Sequence, residues 1–222
     1  MKAVRITGAG TAELATVEPP TPTGDEVVVD ITHAALCNTD RKLVTRGHPQ
    51  GRILGHEAAG YLSDGTPVGI HPDTGCGRCA ACLAGHSNRC PDKRSVGIDR
   101  DGGLAGRVAV PAAHAVPLEG VALELAPVRE PLACGVHAIH RMGPIEGPVA
   151  VVGAGAMGIL TMWALQAMGH PVVVSQRSDA RRQQASELGA DAVMSAEDEL
   201  TAAFDEPVRA VVVTAPGAQP LD

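Results

Sequence analysis

Four cysteines in one short segment, Cys76-x2-Cys79-x2-Cys82-x7-Cys90, limit what this chain can fold into more than any other feature. Four thiolates from a single loop satisfy tetrahedral zinc completely, so the loop is expected to close on a structural ion. The glycines at 75, 77 and 85 let it wrap until backbone amides face the sulfurs. An iron–sulfur cluster is the competing metal reading, because Cys-x2-Cys-x2-Cys also opens the bacterial ferredoxin run and Pro91 follows Cys90. That run has three residues before its last cysteine and this one has seven, which argues for zinc. Disulfides are the third reading. The N-terminus Met1-Lys2-Ala3-Val4-Arg5-Ile6 shows no export signal, and a reducing compartment favours metal ligation over bridges. The expected location is the cytoplasm.

A second donor set is scattered. Cys37, His56 and Glu57 are each weak signals alone, since a buried Cys or His is usually packing. Together they offer sulfur, nitrogen and oxygen from separate segments, a set that can leave a coordination position open for catalysis. Asp40, close behind Cys37, is expected to accept the second ring N–H of His56 and fix its tautomer. Thr39 is either a hydroxyl that passes a proton between substrate and solvent or a plain strand-end residue.

The remaining composition narrows the partners. Eighteen Lys+Arg stand against 25 Asp+Glu, a net charge of −7 with no basic block that could track a phosphate backbone, so nucleic acid is not an expected partner. No apolar run reaches membrane-spanning length. Tyr61, Trp163 and Phe204 are the only aromatics, and the 45% apolar content must build its cores from Val, Leu, Ile and Ala.

Short strands punctuated by Gly and Pro are expected over residues 2–7, 26–34, 67–71 and 105–110, giving a β-rich first domain. From 133 the pattern turns helical. Strands at 149–152, 172–175, 192–194 and 209–214 then alternate with helices at 156–168, 179–188 and 197–204, the pattern of a doubly wound parallel sheet. A complete dinucleotide fold of this kind has six strands, so the sheet is expected to lack its last two.

Gly153-Ala154-Gly155-Ala156-Met157-Gly158 follows the first of these strands and opens a helix. Gly153, Gly155 and Gly158 there permit the tight turn and the approach of backbone amides to a pyrophosphate, and a purely structural glycine turn is the alternative. At the end of the next strand an NAD enzyme would place a carboxylate for the ribose. Here Val174-Ser175-Gln176-Arg177-Ser178 has none, and Arg177 could pair with a 2′-phosphate, which favours NADP over NAD. The alternative is a solvated Arg177, with Gln176 bonding the ribose of NAD.

Taken together these residues resemble a zinc-containing medium-chain alcohol dehydrogenase, and Glu130-Pro131-Leu132 resembles the polyol branch that includes sorbitol and threonine dehydrogenases. The resemblance implies a GroES-like zinc-binding catalytic domain over residues 1–125 and a Rossmann domain over 126–222, an α/β fold in all. It implies catalytic zinc ligation by Cys37 and His56, with Glu57 exchangeable and Glu130 where relatives supply a third ligand. Cys134 is a rival for that role, and its place otherwise falls near the nicotinamide. Thr39 matches a proton-relay hydroxyl, while Lys42 stands where some relatives have a relay His. The implied activity is hydride transfer between a secondary alcohol (polyol, cyclitol or amino-sugar type) or its ketone and NADP or NAD, with catalytic and structural zinc. A homo-oligomer is expected. The other readings are a curtailed zinc-stabilised binding module and a reductase of activated double bonds; the Cys37, His56 and Glu130 set speaks against the latter.

Overall fold

The computed structural model of the chain describes residues 1–47 and 49–215. It divides into two compact units, Met1–Glu130 and Pro131–Asp222, with the division a few residues beyond the boundary expected from the sequence.

In the first unit a hairpin of β1 (Lys2–Gly8) and β2 (Thr11–Thr16) precedes the long strand β3 (Glu26–Ala35) and helix α1 (Asn38–Arg46). Next come β4 (Glu57–Tyr61), β5 (Pro67–Ile70), β6 (Asp73–Thr74), the short helix α2 (Ala80–Leu83), β7 (Arg94–Ser95), β8 (Arg107–Pro111) and β9 (Ala115–Pro117). Five of these strands form an antiparallel sheet in the order β8-β3-β4-β5-β9, and β6 pairs with β7. Val29, Val68, Ile70, Val96, Val108 and Val110 fill the core beneath the sheet. β-branched side chains suit this pleated, buried surface, which is why so few aromatics suffice.

Helix α3 (Arg129–Met142) begins at the boundary, and the second unit continues through β10 (Val149–Val152), α4 (Ala156–Ala167), β11 (Val172–Ser175), α5 (Asp179–Glu187), β12 (Ala192–Met194) and β13 (Ala210–Val213). The four strands are parallel in the order β12-β11-β10-β13. That is the 3-2-1-4 portion of a doubly wound sheet, whose switch point lies beside its first strand. Val149, Val151, Val172 and Val174 are fully buried, as strands covered on both faces must be. Met162 and Leu165 of α4 close the core, and burying each is worth about 1.5–3 kcal/mol.

One expected element is corrected. Residues 197–204 hold only a 3₁₀ turn at Leu200–Ala202 instead of an α-helix. Asp198 explains the difference: its carboxylate accepts the Ser195 N–H at 2.7 Å, a local turn that competes with helix formation. Pro207 then limits extension on the other side.

Candidate active site

Strand register brings the scattered donors together. β3 pairs with β4 so that Ala35 faces Glu57, which sets Cys37, two residues beyond Ala35, beside His56 and Glu57. One ligand atom from each of Cys37, His56 and Glu57 lies within 4.8 Å of the others. His56 and Glu57 are buried, and no ion pair engages Glu57 among the described residues.

Asp40 holds this arrangement from below. It is 1% exposed, and its two carboxylate oxygens accept backbone N–H bonds from Cys37 at 2.9 Å and from Gly55 at 3.2 Å. A single side chain thus pins both ligand-bearing segments. The expected bond to the His56 ring is stretched: Nδ1 stands 3.7 Å from Asp40, within ion-pair reach but longer than a hydrogen bond. Nδ1 is buried without a hydrogen-bond partner. Burial works against a charged His56, yet the Asp40 carboxylate and then the Cys37 sulfur outweigh it and raise the pKa to about 9. A proton is held where a cation would otherwise be welcome, and a buried nitrogen, sulfur and carboxylate in mutual reach fit zinc.

Backbone crowding sets the position of His56. Gly55 has φ of +95°, and a Cβ on Gly97 would stand 2.6 Å from the Gly55 backbone, one on Gly102 2.3 Å from its carbonyl. Three stretches of main chain touch there, and only glycine admits the approach.

Glu130 lies outside the 4.8 Å set but faces it. Burial raises its pKa; His56 opposes the rise, while the carboxylates of Glu57 and Asp73 add to it. Asp73 was not foreseen from the sequence. It accepts Ser95 Oγ–H at 2.6 Å and Lys93 Nζ–H at 3.0 Å, tying β6 to β7 next to the cysteine loop. Cys134 is exposed on α3 in the second unit and belongs to neither donor set.

Cys76, Cys79, Cys82 and Cys90 converge with their sulfurs within 4.8 Å of one another. Backbone N–H groups of Arg78 and Cys79 beside the Cys76 sulfur bring its pKa down to about 6. Desolvation among its neighbours pushes Cys82 up to about 11. The Cys76 N–H also donates to Cys90 Sγ at 3.3 Å. At Cys76 the amide donors favour the thiolate form that zinc requires, whereas Cys82 would need the ion itself to lose its proton.

In the second unit the glycine turn has the close contacts its residues permit. A Cβ on Gly158 would lie 1.8 Å from the Gly153 carbonyl, and Gly153 adopts φ of +109°. Gly155 caps α4 and leaves the first helical turn open, as an anion site needs. The Thr214 hydroxyl lies 3.1 Å from both the Val152 and the Gly153 carbonyl oxygens and donates to one or the other. At the end of β11 the Arg177 N–H donates to Gln176 Oε1 at 2.9 Å, and the Arg177 side chain is exposed. Arg182, which sequence reasoning missed, donates to the Gln176 and Arg177 carbonyls at 2.5 and 2.9 Å and pairs with Asp179.

An open and a closed donor set in one β-rich unit, followed by a parallel sheet with a glycine turn, is the architecture of a zinc-type dehydrogenase. Residues 23–120 match the alcohol dehydrogenase GroES-like domain. L-galactonate-5-dehydrogenase of Escherichia coli K12 is 33% identical over 180 residues, 75% of this chain and 53% of that protein. An Escherichia coli CFT073 alcohol dehydrogenase (rspB) solved with NADH superimposes with a TM-score of 0.82 at 31% identity, covering 89% of this chain and 63% of that one. A Sinorhizobium meliloti 1021 protein assigned as a zinc-binding dehydrogenase and solved with NADP gives 0.81 at 33% identity, covering 87% and 61%. The first unit thus carries the alcohol dehydrogenase GroES-like domain, and the chain as a whole is similar to zinc-type medium-chain dehydrogenases. It spans between half and two thirds of the length of the curated relatives it matches. No helix of the described residues is long and apolar enough to cross a membrane.

Proposed function

We propose that this chain serves the reversible oxidation of a secondary alcohol of polyol type, the sugar-acid alcohol of the galactonate relative being the nearest chemistry, with NADP or NAD as hydride partner. The observation that carries this reading is the convergence of Cys37, His56 and Glu57 on one buried point, with Asp40 pinning both segments.

Cys37 and His56 would hold zinc, with Glu57 and Glu130 as the carboxylates available to complete or exchange in its shell. When bound, zinc supplies Lewis-acid polarisation of the substrate oxygen and the nicotinamide accepts the hydride. Thr39, half-buried in the first turn of α1, offers the hydroxyl that takes the substrate proton outward. Glu130, whose pKa is raised mainly by burial, is a carboxyl able to accept or return a proton beside the donor set. The four-cysteine loop would hold a second, structural zinc. Gly153, Gly155 and Gly158 would seat the pyrophosphate, Cys134 would lie near the nicotinamide, and Gln176 and Arg177 would meet the adenosine ribose. An exposed guanidinium with no carboxylate on the strand end favours a 2′-phosphate, hence NADP.

The test is metal content together with cofactor binding. Cys37→Ser should lose one zinc per chain and all alcohol-dependent NADPH formation while keeping the zinc of the cysteine loop. Unchanged metal content and turnover in that variant would remove the reading. Arg177→Ala should weaken NADP by about 1.5–3 kcal/mol and leave NAD nearly unchanged, as titration with both cofactors checks.

A further inference from the structure

Helix α1 starts immediately after Cys37, and its outer face is cationic. Arg41, Lys42 and Arg46 are all exposed, and with Asn38 and Thr45 they line a depression of ≈ 220 Å³. Among the described residues none of the three pairs with a carboxylate. Of the other cations of this unit, Arg5, Arg52, Lys93, Arg100 and Arg107 face acids, while Lys2, Arg78, Arg89, Arg94 and Arg129 have no ion pair among the described residues; α1 gathers three such cations on one short helix.

Helix physics does not account for the cluster. Arg46 sits in the last turn, where the dipole welcomes a cation. Arg41 and Lys42 lie mid-helix, where the dipole offers a cation nothing, and Lys42 with Arg46 forms a like-charge i,i+4 pair that works against the helix. The one acid of α1, Asp40, is buried on the other side and committed to two backbone amides. On α5, by contrast, Arg182 is matched with Asp179 at i,i+3. A concentrated positive field on a chain of net charge −7 draws small anions to this one place.

We infer that the outer face of α1 is a recognition site for an oxyanion, and that the oxyanion is the carboxylate or phosphate of the substrate whose hydroxyl is oxidised at the adjoining Cys37 centre. This rests on the function proposed above and specifies its substrate class as an acidic polyol. Asn38, Arg41, Lys42, Thr45 and Arg46 follow the i, i+3, i+4 spacing of one helix face, so guanidinium and ammonium groups border the same depression, and they are exposed enough to be screened by salt.

The experiment uses the zinc-loaded 222-residue chain and nuclear magnetic resonance titrations with gluconate, uncharged sorbitol, inorganic phosphate and NADP. Gluconate and phosphate should shift the α1 amides, and Arg41→Gln/Arg46→Gln should weaken gluconate about tenfold or more while leaving sorbitol unchanged. Raising the ionic strength should weaken gluconate in the parent chain and not in the variant. Equal loss for gluconate and sorbitol, or no shift at α1, overturns the inference. A shift at α1 that responds to NADP alone also overturns it, assigning the face to the cofactor's phosphates. Charge-dependent binding of gluconate at α1 with oxidation of sorbitol and of no acidic polyol also overturns the inference while the proposed function stands; if no alcohol of either kind is oxidised, the proposed function falls and the substrate assignment with it.

Discussion

The two donor sets of the first unit are built by opposite routes. The cysteine loop draws all four ligands from residues 76–90 and surrounds them with its own backbone amides. The Cys37, His56 and Glu57 set has no contiguous segment at all; it exists because β3 and β4 pair in one register, Asp40 bonds both segments, and Gly97 and Gly102 press against Gly55. The first centre carries its own supports, whereas the second inherits them from the fold. Damage should therefore spread in one direction only, from fold to assembled site.

The largest effect is expected at the loop. Structural zinc contributes on the order of 10 kcal/mol of binding free energy, so Cys90→Ser, at the one buried cysteine of the four, should empty that centre. Metal analysis should find one zinc fewer, while cobalt substituted at the assembled site keeps its absorption spectrum. Loss of both metals together would mean that the centres are not independent.

Asp40→Ala comes next. It strands two backbone amides and removes the carboxylate beside His56 in a buried place, a cost of about 3–5 kcal/mol. Urea unfolding measures the loss, and zinc should weaken roughly 10–100-fold at the assembled site and not in the loop. Gly97→Ala combines a φ of +76° with a backbone clash, for about 1–3 kcal/mol, again with the metal loss confined to the assembled site. A variant of either kind that releases the loop zinc first would reverse the comparison.

The smallest effect lies in the tie between the two regions. Burial raises the pKa of Asp73, but the hydrogen bonds from Ser95 and Lys93 outweigh it and hold the value below the usual 3.8. A carboxylate whose folded pKa is depressed contributes stability above its unfolded pKa and loses it as pH falls through the folded value. Asp73→Asn should therefore cost less than about 1 kcal/mol at neutral pH, since the lysine pair is partly exposed, and nothing once both pKa values lie above the pH. Thermal melts of both proteins from pH 7 to 2.5 should converge at the acid end.

What the sequence disclosed follows the same division. The cysteine loop and the glycine turn are contiguous motifs whose spacing is their geometry, and both lie as expected. The parallel sheet was also legible, because alternating valine-rich runs and apolar helices leave few arrangements, whereas β4, the middle strand of the five-stranded sheet, was not among the expected strands. Asp40 was found and stands within ion-pair reach of His56, but its bonds to the Cys37 and Gly55 amides were not foreseen, since nothing in residues 37–40 tells that the Gly55 N–H will meet the carboxylate. Gly97, Gly102, Asp73 and Arg182 were missed altogether. Each acts on a group distant in the sequence or on a backbone carbonyl, and neither contact leaves a pattern of side-chain types. The failed helix at 197–204 has a local cause in the Asp198 turn, but propensity alone did not weigh it.

The Thr214 hydroxyl, described above against the glycine turn, has a bearing on how the chain is made. Its two carbonyl partners lie 61 and 62 residues earlier, and β13, which pairs the free side of β10, is just as remote. At translation rates of roughly 5–20 residues per second, the nucleotide turn waits about 3–12 s after Gly153 is synthesised before that support exists. Through that interval the all-valine-and-alanine strand β10 can pair only with β11, and its other edge is open to any neighbouring nascent chain. The five-stranded sheet of the first unit waits at least as long for β8 to cover β3, since paired Asp30 and Arg107 are 77 residues apart, but all its strands lie between Glu26 and Pro117 and are made before Gly153 is. The ribosome thus delivers a finished metal-binding unit before it delivers a closed nucleotide turn, and holdase chaperones are expected to engage the chain in that gap.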